Sequence, residues 1–109
     1  MPQYTIHYSR DAQADLVYLG RQVEVRVRRA VERFLADQPV PLADQEGQRK
    51  SLDENPLQVT YRLRVDMYRV YYNVEAATDD EAGIVRVVRV GTKPRGTVYL
   101  RGQPFDMRD

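Results

Sequence analysis

The chain has 109 residues, 42% hydrophobic and 30% charged, which is the length of one domain (residues 1–109) and the composition of a folded chain rather than a disordered one. It has no cysteine and one histidine, so disulfides and thiolate metal sites are excluded, and neither a metal nor a cofactor is expected. The formal net charge of +1 announces no nucleic-acid partner, and no apolar run approaches the ~18 residues of a membrane span or a signal-peptide core, so a cytoplasmic protein with no membrane partner is expected.

In chain order, residues 3–8 (QYTIHY) alternate apolar and polar, which predicts a strand with Tyr4, Ile6 and Tyr8 on one face. Ser9 is placed to cap a helix that carries Asp11 in its first turn and runs to about Leu19. Gly20 interrupts it, and a second helix follows to about Ala36, with Val23, Val27, Ala30, Val31 and Phe34 at helical spacing and Arg26, Arg29 and Arg33 mainly opposite. Residues 37–58 read as a long connection with a short extended piece near Lys50–Leu52. Two strongly alternating runs, 59–65 and 68–74, are joined by Asp66-Met67 as a hairpin. After the solvated segment EAATDDEAG comes a strand at 84–90 (IVRVVRV), then a TKPRG turn and a last small hairpin around Gly102-Gln103. This order predicts an α+β fold: an N-terminal strand, a helical hairpin, then a mainly antiparallel sheet of four to five strands with the helices on one face.

Alternation sorts the strands into two faces. Val59, Tyr61, Leu63, Val65, Tyr68, Val70, Tyr72 and Val74 form the expected apolar set, joined by Ile84, Val88 and Val90 with Arg86 intruding. The other face is expected to carry Arg62, Arg64, Arg69 and Arg89 with Tyr71 and Val87. Four guanidinium groups on one face repel one another unless an anion answers them, and an ordinary wet face mixes Lys, Glu, Thr and Ser. Arginine accounts for all basic residues except Lys50 and Lys93, and its planar fork suits bidentate phosphate or carboxylate contacts. A solvated face and an anion-binding face are both compatible with this pattern.

The opening YTIHYSRDAQADLVYL, the helix VRRAVERFL, the hairpin YRLRVDMYRVYYNV and the segment VVRVGTKPR, in this order and spacing, resemble the RelE/ParE superfamily of bacterial type II toxins over nearly the whole chain. The resemblance implies a small toxin neutralised by an antitoxin, usually encoded next to it. RelE-like members are mRNA interferases, metal-independent endoribonucleases that bind RNA and inhibit translation at the ribosome; ParE-like members inhibit DNA gyrase by contact. Carried over by position, the RelE-type site falls on Arg62, Arg64 and Arg69, with Lys93 and Arg95 after the third strand and Tyr99 for the terminal tyrosine. On that reading Arg69 meets the scissile phosphate, Arg62 and Arg64 position the backbone, Tyr99 stacks on a base or moves a proton, and Arg89, Lys93, Arg95 and Tyr71 bind RNA. The family's usual turn is HRREVY-like, whereas this chain has TKPRGTVY and runs on as LRGQPFDMRD. Nuclease, contact inhibitor and a relative retained only for antitoxin or operator complexes are therefore the readings to separate. His7 reads as a solvated edge residue, Asp53-Glu54 as a polar turn and the arginines of the second helix as a solvated face.

Overall fold

The computed structural model describes residues 4–42 and 48–107. Strand β1 spans Tyr4–Tyr8, helix α1 Arg10–Leu19 and helix α2 Arg21–Leu35. Ser9 caps α1 by accepting the Ala12 N–H at 3.0 Å, satisfying one of the helix's orphan donors. Gly20 stands between the helices at φ +101°, a conformation that disfavours side chains with a Cβ, and its N–H closes α1 onto the Leu16 carbonyl. The sheet continues with β2 Arg49–Ser51, β3 Tyr61–Val65, β4 Tyr68–Glu75, β5 Gly83–Thr92, β6 Val98–Leu100 and β7 Gln103–Phe105. Among the described residues no helix is long and apolar enough to cross a membrane.

The strands run in the order β2-β3-β4-β5-β6-β7, antiparallel throughout, and β1 adds in parallel to β5. The expected architecture is thus present, and the sheet reaches seven strands because the short β2 and the β6–β7 hairpin join it. One edge of β5 is shared: β1 pairs with residues 83–87 and β6 with Thr92. The start of α1 fills the gap between them. Ser9 donates its N–H to the Val87 carbonyl at 2.9 Å and its hydroxyl to the Val88 carbonyl at 2.7 Å, and Asp15 accepts the Val90 N–H at 2.9 Å. Backbone groups that would otherwise be orphaned at a sheet edge are therefore paired.

Helices cover one face, and the core between them and the sheet holds Ala12, Leu16, Val27, Val31, Leu35, Leu63, Val70, Tyr72, Val85, Val87 and Val90. The Tyr72 hydroxyl donates to the Pro39 carbonyl at 2.6 Å within it, as a buried phenol requires. A second cluster lies elsewhere, built on Val59, Tyr71, Val98 and Leu100 with Leu52, Leu57, Val88, Phe105 and Met107 packed against it.

Three expected placements are corrected by this arrangement. A bulge at Tyr71/Tyr72 pairs Tyr71 with Arg89 and Tyr72 with Val87, leaving Val88 as the extra residue of β5. Period two read across it comes out one residue wrong. Val85 and Val87 are in the main core, Ile84 is only half-buried, Arg86 is exposed and paired with Glu75, and Val88 packs on the second cluster. Val59 precedes β3, following Gln58 at positive φ, and joins the second cluster instead of the first. Tyr71, expected on a wet face, is 3% exposed.

Candidate anion-binding face

The face of β2–β4 turned away from the helices is built by cross-strand register. Lys50 stands opposite Arg62, Arg62 opposite Tyr71, and Arg64 opposite Arg69; directly opposed residues share a face, and like charges so placed are destabilising. The connection after β5 brings Lys93 to the same end, its N–H donating to the Met67 carbonyl at 2.7 Å. Arg64, Arg69 and Lys93 line one open depression with Gln48, Asp66, Met67 and Pro94. Asp66, the acid of that lining, is ion-paired with Arg26 of α2.

The arginines are oriented by backbone carbonyls. Arg69 Nη1 donates to the carbonyls of Asp66 at 2.8 Å and Tyr68 at 3.0 Å, and Arg62 Nη1 to that of Gln48 at 3.2 Å. Electrostatics reports the crowding. Arg62 is pushed below the ordinary arginine value by desolvation, then by Arg69 and Arg64. Desolvation also depresses Arg69, against an opposing pull from Tyr71 and with a further push from Arg64. Lys93 is depressed by desolvation first, then by Arg69, Arg62 and Lys50. Each shift means that the protonated form is disfavoured here, and a bound anion would reverse that sign.

The structure gathers Arg62, Arg64, Arg69 and Lys93 from the expected set. Arg95 is exposed in the connection at 93–97, on the same turn as Lys93. Arg89 does not join them. Its Nε and Nη2 form a bidentate pair with Asp15 at 2.8 and 2.9 Å, which ties β5 to α1, and Asp15 holds it above the ordinary value. Tyr71 lies under the cluster with its ring buried, and burial raises its phenol against the pull of Arg69 and Arg62, so it has no open ring face on which a base stacks. Tyr99 pairs with Thr92, which pairs with Tyr68. It therefore shares the helix-side face with Tyr68, whereas Arg69, one residue on, points to the other. Proton transfer between Tyr99 and a phosphate on Arg69 would have to cross the sheet. His7 sits on β1 opposite Arg86, away from the cluster.

Sequence reasoning missed Lys50. Its signal was present: the chain's two lysines, 50 and 93, both belong to the face, but β2 is too short to show a period. The pairing of Asp15 with Arg89 was missed because 74 residues separate them.

Comparison with known proteins finds a matching family and a similar solved structure. The family described as "ParE toxin of type II toxin-antitoxin system, parDE" matches residues 6–95. A chain of the crystal structure of the toxin-antitoxin complex RelBE2 from Mycobacterium tuberculosis is similar with a TM-score of 0.63 at 24% identity, covering 85% of this chain and 100% of that one; at that identity the likeness is one of fold. No curated protein sequence matches.

Proposed function

Since the chain belongs to the ParE toxin family of type II toxin–antitoxin systems, we propose that it is a toxin that acts in the cytoplasm by contact, using the Lys50, Arg62, Arg64, Arg69 and Lys93 face to hold an acidic surface of its target, with DNA gyrase the target class. A cognate antitoxin covers it until release; the fold neighbour comes from a toxin–antitoxin complex. The observation that carries the contact reading is the register that puts Tyr99 behind the sheet and Tyr71 beneath it. The arginine fork remains, and it binds carboxylate and phosphate bidentately without needing a proton-transfer partner. The test is a DNA supercoiling assay with purified gyrase: the chain should inhibit it, and Arg64→Ala/Arg69→Ala should relieve inhibition about tenfold or more, as expected for losing two charge-assisted contacts. Full gyrase activity at saturating toxin rejects that target.

One observation favours the second reading, ribosome-dependent mRNA cleavage. Lys93 is depressed by desolvation and then by Arg69, and a lowered ammonium pKa leaves more of the amine in the free-base form that can serve as a proton acceptor. Its free amine would take the 2′-hydroxyl proton as that oxygen attacks phosphorus. Arg69 and Arg64 would balance the charge on the phosphorane oxygens, and the 5′ oxygen would leave with a proton from solvent water, giving a 2′,3′-cyclic phosphate. Lys93→Arg, which keeps charge but not the accessible free base, separates the readings: contact inhibition survives it and cleavage does not.

A further inference from the structure

The β6–β7 hairpin and the residues after it lie outside the matched family segment, which ends at residue 95, and they cover part of the face that bears the cations. The hairpin is fixed at its turn. Arg101 Nη2 donates to Asp11 Oδ1 at 2.9 Å and Arg101 Nε stands 3.0 Å from Asp15 Oδ1. Gly102, at φ +80°, lies so close that a Cβ there would stand 2.5 Å from the Tyr18 hydroxyl. The other end is held by packing: Phe105 and Met107 are half-buried against the cluster of Val59, Tyr71, Val98 and Leu100. Among the described residues, the single pair Thr92–Tyr99 registers β6 on β5.

Met107 stands where two clefts meet. One is edged by Lys93 together with Phe105 and Asp106, the other by Lys50 together with Leu52. Lys93 also edges the depression of Arg64 and Arg69. The far end of the hairpin therefore lies between the two lysines of the cationic face.

We infer that residues 103–107, moving together with the β6 strand to which they are paired, form an intramolecular strap, anchored at the Arg101–Gly102 turn, whose Phe105 and Met107 close over the flank of the cationic face and restrict the access of polyanions to Lys50 and Lys93. The inference rests on that face being the anion-binding surface. Lifting the strap widens the lysine clefts into one groove continuous with the Arg64–Arg69 depression and bares the apolar floor at Tyr71. The closed state thereby lowers apparent affinity by the fraction of time the strap is open.

Calorimetric titration with inorganic tripolyphosphate tests this on the full chain. Phe105→Ala/Met107→Ala loosens the strap without changing charge, and its affinity should exceed that of the unsubstituted chain by about fivefold or more. A second variant uses the absence of cysteine. Leu52→Cys/Met107→Cys supplies the sole thiols at two residues that pack on one cluster and line one cleft. Oxidised, it should bind tripolyphosphate more weakly than when reduced, and this comparison decides alone if the double alanine variant fails to fold. Equal affinities throughout overturn the strap and leave the cationic face standing. If none of the proteins binds tripolyphosphate, the cationic-face reading falls and the strap with it.

Discussion

Asp15 is the residue on which most of the architecture turns. It is fully buried, takes a bidentate contact from Arg89, accepts the Val90 N–H and meets Arg101. Removing one partner of a buried pair leaves an uncompensated charge, so Asp15→Ala should lose about 3–5 kcal/mol in urea denaturation. Arg101→Ala acts at the exposed rim of the same network and should lose about 1 kcal/mol or less. A loss at Asp15 no larger than at Arg101 would show that the network is not the tie between α1 and β5. None of this is legible in DAQAD, where Asp15 reads as one more polar position on a helix; its partner is set by tertiary approach. The arginines of YRLRVDMYRV were legible, because period two holds along β3 and β4 up to the bulge.

At the scale of elements, two strands depend on close fits that alternation does not display. Gly91 lies where a Cβ would stand 2.5 Å from the Tyr99 carbonyl oxygen. Gly91→Ala should therefore push β6 from β5 and destabilise by about 1–3 kcal/mol, read as a lowered denaturation midpoint. In β4, burial raises the Tyr72 phenol, opposed by Arg49, and burial also raises Tyr8 and Tyr71. In the unfolded chain these phenols release protons near pH 10, ahead of the folded chain, so the folded state binds more protons there and stability falls as pH rises. Their contribution is complete below about pH 10 and is lost as pH climbs through the higher folded values. Tyr72→Phe should make the alkaline limb of the stability–pH curve shallower, while costing about 1 kcal/mol at pH 7 for the bond to Pro39. An unchanged limb would mean that Tyr72 ionises freely in the folded chain. The β5 bulge marks the limit of the sequence reading at this scale: one extra residue, Val88, moves Val85 and Val87 inward and Arg86 outward, while Arg89, still opposite Tyr71, is taken from the predicted arginine group by its pairing with Asp15.

Over the whole molecule, the charge is divided in a way the net value of +1 conceals. Asp11 and Asp15 are spent on Arg101 and Arg89, Glu24 on Arg28 and Glu75 on Arg86, while Lys50, Arg62, Arg64, Arg69 and Lys93 crowd one face. Tripolyphosphate should accordingly raise the melting temperature by relieving that repulsion, by roughly 3 °C or more at saturating ligand, and Arg64→Ala/Arg69→Ala should abolish the rise. An equal rise in both proteins would place the anion elsewhere. The fold's element order was readable from periodicity and breakers, whereas the chemistry of the site depended on which face Tyr99 occupies, and the pairing of Tyr99 with Thr92 is a property of the assembled sheet. Whether the toxin we propose holds its target without cutting RNA is decided by mapping mRNA 5′ ends after induced expression: growth arrest with no new ends, reversed by Arg64→Ala/Arg69→Ala, is expected, and new cleavage ends in translated messages that vanish in Lys93→Arg would overturn the contact reading.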